Sequence, residues 1–339
     1  GINPSTLQLV IQLYLSSDSL KAANDCLINF KNQLVLPGQH LNSDQELHTV
    51  SDGQNFFIQV ESLNSSYSYK VPGYDKMVTV NTAMDERFSI FNSQVISASQ
   101  KEAAYLIDIH LKNSPVKSTI HSTDTGGYTE AVFGVLNMLD IFYAPRLKNL
   151  LSQQLYSFSK RREYKSLGYK LLPEYSINEK LIEENWEDIL RLMVTLKSGK
   201  TTAHNIFKRL NAYAKQNPLL AAVKEYGRII KSGFILRYYD DRELRQAIEL
   251  QLSHIELVNR FAKAVFFGNN QEFMVGLKEE QEKVALARAF IQNAIIIWNY
   301  LYLSDQITQM KNQEEIEELL VSLKNSTIII WEHVNLHGI

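Results

Sequence analysis

The feature that most restricts this chain is a change of periodicity part-way along it. Between residues 46 and 146, short β-rich runs alternate with helical stretches. Beyond 146 nearly every apolar pattern has helical period. Runs at 47–51, 56–60, 77–82, 88–91 and 95–98 are rich in β-branched and aromatic residues and are bounded by turn formers. Ser99 and Glu102 have the spacing of a capping box, and residues 103–111 follow with helical period. A further strand at 118–122 leads to Asp124. Gly126 and Gly127 then turn the chain into a helix at 129–139, and a strand at 141–144 is closed by Pro145. The order is three antiparallel-type strands, helix, strand, helix, strand.

That order is the order of an RNase H-like core. The expected fold class is therefore α/β: a mixed five-stranded sheet with helices, a large helical insertion and C-terminal helices. We expect four segments. Residues 1–45 form a helical lead-in, 46–146 the first part of the core, 147–240 a mainly helical insertion, and 241–339 C-terminal helices that complete the core. The 339 residues suffice for two or three domains, and 45% hydrophobic with 21% charged residues is an ordinary soluble composition. Cys26 is the single cysteine, so an internal disulfide is excluded and a cysteine-based zinc site disfavoured. A reducing, cytoplasmic setting is expected. No signal peptide is visible, and apolar runs such as 294–298 are too short to span a bilayer.

The net charge of −2 is unevenly spread. Residues 144–170 hold seven Lys/Arg and one acid, residues 191–237 ten and one, and residues 271–320 four and nine. Such segregation permits a basic surface on a nearly neutral chain, although a charge run is more often just a solvated face.

Two aspartates carry the chemical signal. Asp52, in Ser51-Asp52-Gly53-Gln54, closes the first β run beside a glycine. Asp124, in Ser122-Thr123-Asp124-Thr125-Gly126-Gly127, closes a later one. In an RNase H-like sheet these two strands are neighbours, so both carboxylates leave the same edge. Paired hard oxygen ligands suit Mg²⁺, which keeps waters and takes phosphate oxygens as its other ligands. Either aspartate alone is more often a turn former. A third acid is expected on a later helix, whose stripe Leu244, Ile248, Leu252, Ile255 is flanked by Glu249 and Glu256. Periodicity does not choose between these two, and a salt bridge to Arg245, Arg260 or Lys263 is the plainer role for either.

Other signals fall away. Ser198-Gly199-Lys200-Thr201 imitates the end of a phosphate loop, but Val194 occupies the place of its first glycine. His121, His204, His254 and His333 lack metal-ligand spacing. Trp186, Trp298 and Trp331 sit in helical, mainly apolar contexts that favour a core position.

From about residue 46 to the end, the chain resembles the catalytic region of the Tn3 family of replicative transposases, within the DDE superfamily. The resemblance is carried by Ser51-Asp52-Gly53-Gln54, Arg87-Phe88-Ser89, Glu102-Ala103-Ala104-Tyr105 and Ser122 to Glu130. It continues in Ala144-Pro145-Arg146, Trp186-Glu187-Asp188, Glu225-Tyr226-Gly227-Arg228, Leu236-Arg237-Tyr238, Gln251-Leu252 with Glu256, Asn293-Ala294 with Trp298-Asn299, and Trp331-Glu332-His333-Val334. The chain departs from the family at Ser253-His254-Ile255, where Asn-Lys-Gly is usual. It also lacks the aromatic-Gly-x-x-Arg-Gly stretch in 69–78.

The resemblance implies that Asp52, Asp124 and Glu256 are the catalytic and metal-binding acids, and so selects Glu256 over Glu249. It implies Mg²⁺, with Mn²⁺ able to substitute. Two ions about 4 Å apart would serve in-line displacement, with Asp52 bridging both and each other acid holding one. Water would free a 3′-hydroxyl at a transposon end, and that hydroxyl would attack target DNA, with no covalent protein–DNA link. The implied partner is double-stranded DNA, with a homodimer on paired ends. Arg146, Lys148, Arg161, Arg162, Lys208, Arg209 and Arg237 are the candidate phosphate contacts. Family members carry DNA-end-binding domains ahead of this region, so a fragment of a longer protein is expected. The rival expectations are a non-cleaving DNA-binding remnant and a stand-alone RNase H-like nuclease.

Overall fold

Alternation in the first hundred residues resolves into long paired strands rather than short ones. The computed structural model describes residues 3–41, 46–67, 76–97, 103–111, 114–124, 128–212, 217–266, 271–324 and 326–336. In chain order its elements begin with helices α1 (Pro4–Tyr14) and α2 (Ser17–Lys31) and strands β1 (His48–Phe57), β2 (Ser66–Tyr67), β3 (Lys76–Asp85) and β4 (Ile90–Ser97). Then come α3 (Ala103–Leu111), β5 (Ile120–Thr123), α4 (Glu130–Met138), β6 (Phe142–Tyr143), β7 (Tyr156–Ser157), α5 (Arg161–Ser166) and β8 (Tyr175–Ser176). The remainder is helical: α6 (Glu179–Glu184), α7 (Trp186–Lys197), α8 (Ala203–Ala212), α9 (Pro218–Asp240), α10 (Arg242–Val265), α11 (Lys278–Gln309) and α12 (Gln313–Lys324). Antiparallel and parallel strand pairs with helices make this the expected α/β class, and β1, β3, β4, α3, β5, α4, β6 follow the RNase H-like order. The capping box at Ser99 and the turn at Gly126-Gly127 lie outside the described residues, as does most of 69–78.

The chain divides into two interleaved compact units. Unit one is residues 1–100, 114–117 and 253–339; unit two is 101–113 and 118–252. In unit one, β1, β3 and β4 form an antiparallel sheet, with β2 on part of β3. One face buries Phe56, Val78, Val80 and Val95 against Phe273 and Ala285. Two expected strands, 47–51 and 56–60, are a single strand β1 that runs through Asp52-Gly53-Gln54. Such residues are poor strand formers, but β3 opposes each of them in register, Thr82 to Asp52 and Val80 to Gln54, and the pairing decides. Likewise residues 95–97 join residues 90–91 in β4, while Phe88 sits in the turn before it with φ 60°.

Polar residues of α2 and α11 tie this sheet down. Asn293 Nδ2 donates to Ile90 O and to Asn24 Oδ1, while Asn24 Nδ2 also donates to Ile90 O and Asn293 Oδ1 accepts from Ile90 N. By length and composition α11 could cross a membrane, which reading the apolar runs singly did not reveal. Half of that window is buried, and Arg288, Gln292, Asn293 and Asn299 are buried with it, as in a core helix. The same geometry corrects two tryptophan expectations. Trp298, two positions after buried Ile296, is 57% exposed, and Trp186 on α7 is 38% exposed.

Unit two pairs β5 with β6 in parallel and packs α4 on α9. Gly134 and Gly227 permit that contact. A Cβ on Gly227 would run into the carbonyl of Glu130, and one on Gly134 would stand 3.1 Å from Val223 O. Gly168 and Gly199 interrupt the helices of this unit as left-handed residues with φ of 82° and 66°, and Pro218 opens α9. The short parallel pair β7–β8 was not anticipated inside the helical segment.

Candidate active site

In unit one, Asp52 is half-buried in the middle of β1 rather than at its end, and its side chain is gripped by α10. Asn259 Nδ2 donates to Asp52 Oδ2 at 2.9 Å, while Gln54 Nε2 donates to the backbone oxygen of Asn259 at 2.8 Å. Asp52, Gln54 and Thr82 share one sheet face, since side chains alternate along a strand and directly opposed residues lie on the same side. Three buried oxygens on these residues and Asn259 have no hydrogen-bond partner among the described residues: Gln54 Oε1, Thr82 Oγ1 and Asn259 Oδ1. Unpaired buried acceptors are costly and therefore uncommon.

Helix α10 is held by its apolar stripe. Ile248, Leu252, Ile255, Val258 and Phe261 are all buried, Phe261 stacks on Trp331 at 5.0 Å, and Gln292 Nε2 donates to Val258 O. His254 is buried against the Phe88 ring at 4.7 Å, and burial pushes its imidazole down to about 4. These contacts turn Glu256 outward. It is exposed, it has no ion-pair or hydrogen-bond partner among the described residues, and it lies one helical turn before Asn259. The salt-bridge role considered for it is not seen.

In unit two, Asp124 directly follows β5, as the sequence indicates. Ser122 Oγ donates to Ala144 O, the Thr123 and Tyr143 hydroxyls share a 2.7 Å hydrogen bond, and Arg146 N donates to Thr123 O. This lacing brings Arg146 beside Asp124. Its Nη2 and Nε lie 2.9 and 3.1 Å from Oδ1, and Lys148 Nζ lies 3.2 Å from Oδ2. Arg146 Nη1 also reaches Glu249 Oε2 at 3.2 Å. Burial opposes its charge, but the bonds to Asp124 and Glu249 raise the Arg146 pKa. Asp124 is thus balanced by two protein cations, and Glu249 shares one of them, Arg146.

The other candidate phosphate contacts are also in unit two. Arg161 and Arg162 are exposed on α5, and Lys208 and Arg209 on α8. Arg237 bonds Asp241 at 3.4 Å and caps the Phe142 ring at 4.8 Å. Among the described residues no three His, Cys, Asp or Glu side chains converge into a metal-holding group. The sequence reading missed Asn259, Gln54 and Thr82. Gln54 stood inside a quoted motif, and Asn259 lies three positions beyond Glu256, so a helical projection could have found it.

Comparisons with known proteins agree on one family. The family described as the Tn3 transposase DDE domain matches residues 1–339. The transposase for transposon Tn1546 of Enterococcus faecium is 33% identical over 342 residues, covering 100% of this chain and 34% of that protein. The transposase for transposon Tn2501 of Escherichia coli is 31% identical, with the same coverage. The transposase for transposon gamma-delta of Escherichia coli (strain K12) is 26% identical over 98% of this chain and 33% of its own. The chain thus spans about a third of the length of these curated relatives.

Proposed function

The chain belongs to the Tn3 transposase DDE domain family, and from that premise we propose that it is the catalytic region of a replicative DNA transposase, with Asp52, Asp124 and Glu256 as its metal-binding acids. In the first step a water oxygen bonds to phosphorus at the transposon end. The bond from phosphorus to O3′ breaks, and that oxygen takes up a proton as the free 3′-hydroxyl. In the second step this hydroxyl attacks a target phosphodiester, so one ester replaces another and no outside energy source is needed.

The observation that carries the reading is the oxygen-rich setting of Asp52. Asp52 shares its sheet face with Gln54 and Thr82 and is bonded by Asn259, and each of these three neighbours carries a buried oxygen without a partner among the described residues, the oxygen chemistry that a hard cation prefers. Asp52 would hold Mg²⁺ from β1, and Glu256 would serve from the exposed side of α10. When bound, such ions lower the pKa of water and stabilise charge on the attacking and leaving oxygens. The chain's own groups do the positioning. Asn259 fixes the Asp52 carboxylate, and Lys and Arg side chains of unit two bind phosphates. We place the reaction in the bacterial cytoplasm, on double-stranded DNA with two copies on paired ends.

A labelled transposon-end duplex with Mg²⁺ or Mn²⁺, incubated with the full-length protein, tests this. Asp52→Asn, Asp124→Asn and Glu256→Gln should each abolish nicking and strand joining. A variant that cleaves like wild type removes that residue from the site, and wild-type behaviour by both aspartate variants ends the proposal. The ion pairs from Arg146 and Lys148 to Asp124 favour a second reading, a DNA-binding remnant without cleavage. It predicts salt-sensitive DNA binding and no metal-dependent nicking.

A further inference from the structure

Unit two holds a cavity of about 590 Å³ remote in sequence from the three acids. It falls within the span of roughly 300–1,000 Å³ typical of small-molecule sites. Its walls include four aromatic rings, Tyr156, Phe158, Tyr164 and Tyr169, over a floor from α9 that includes Ile229 and Leu236. The rings are not a closed core. Phe158 is 57% and Tyr169 59% exposed, where an ordinary core would have buried them. Tyr156 is pinned in place: it stacks on Tyr175 at 5.4 Å, carries the Arg228 guanidinium at 4.9 Å from its ring centroid, and donates its backbone N–H to Ser232 Oγ. The short β7–β8 pair fixes Tyr156 opposite Tyr175.

The rim is basic. Helix α5, which supplies Tyr164, also carries exposed Arg161, Arg162 and Lys165. Lys160 precedes it and Lys170 lines the cavity, whereas Glu163 is the one acid between 160 and 170. Exposed aromatic faces inside a basic rim suit unpaired nucleotides, whose bases stack without regard to sequence while cations track the backbone. A duplex hides its base faces and would meet only the rim.

We infer that this cavity binds unpaired DNA bases, a single-strand subsite lined by none of the three acids. The inference rests on the DNA-acting reading above and adds the strandedness of what is held. The test titrates the full chain with a fluorescein-labelled oligothymidylate and, separately, a blunt duplex. Phe158→Ala and Tyr169→Ala, both at exposed positions, should each weaken oligothymidylate binding about tenfold. Tyr169→Trp should retain it, and duplex affinity should change less than twofold. Unchanged oligothymidylate binding in both alanine variants, with duplex binding intact, overturns the inference alone. Equal losses for duplex and single strand overturn it too, as does displacement of the oligothymidylate by polyglutamate in a ring-dependent manner, which would mark an acidic protein partner. Failure of the wild type to bind either DNA overturns both the inference and the reading beneath it.

Discussion

Asn259 is the residue on which the proposed site around Asp52 turns. Its amide reaches the one carboxylate of β1, its backbone carbonyl accepts from Gln54, and its side-chain oxygen has no partner among the described residues. A side chain that orients a metal-binding carboxylate typically contributes ten- to a hundred-fold in metal affinity. Asn259→Ala should weaken Mn²⁺ binding by about that factor in a calorimetric titration, with little change in secondary structure by circular dichroism. None of this was legible in the sequence, because the partner of Asn259 lies 207 positions away. Asp124 was legible, since its place after β5 depends on neighbours in sequence. The buried histidines make a prediction of their own. Burial pushes His48 down to about 4, and burial with nearby His254 and Lys31 does the same to His40. The unfolded imidazoles titrate near their ordinary value of about 6.5, so between the two values the unfolded chain binds more protons. Stability from these groups is complete above about pH 6.5 and is lost as pH falls toward 4. Guanidinium unfolding should show a lower midpoint at pH 5 than at pH 7, and His48→Gln should flatten that slope.

Among the elements, the pairing of α4 with α9 depends most sharply on single residues. Helices normally keep 8–10 Å between axes, and here Gly134 and Gly227 remove the side chains that would hold them apart. Gly227→Ala, which sets a methyl against the Glu130 carbonyl, should destabilise the protein by about 3 kcal/mol in denaturant unfolding. Gly134→Ala, with its nearest contacts at 3.1–3.2 Å, should cost about 1 kcal/mol. Equal effects would mean that the helices slide rather than clash. Element types were readable wherever the helical period was clear, as in α3, α4 and the stripe of α10. They were misread where pairing overrode propensity. Asp52-Gly53-Gln54 looks like a break between strands, yet β3 keeps it extended. The β7–β8 pair, two residues per strand, has no pattern long enough to detect.

At the level of the whole molecule, charge follows the division into units. Unit two contains 22 Lys/Arg and 17 Asp/Glu, a net of +5; unit one contains 13 and 20, a net of −7. The overall −2 conceals that contrast, although the basic runs at 144–170 and 191–237 already hinted at it. DNA affinity should therefore fall steeply with salt, and the plot of log K against log[salt] should lose about 0.9 of slope per phosphate contact removed. Arg161→Gln with Arg162→Gln should flatten it by about two such steps in a polarisation assay; an unchanged slope would take α5 out of the interface. The interleaving has one more consequence, and it concerns synthesis. Ile90 is bonded by Asn24 from the start of the chain and by Asn293 from near its end. The ribosome must deliver all of unit two before α11 exists. Unit two therefore has time to close around its own core while α2 and β4 wait, with Ile28 and Ile90, both wholly buried in the finished protein, still open to water. Nascent chains stalled before residue 278 should recruit hydrophobe-binding chaperones, and release of α11 should discharge them.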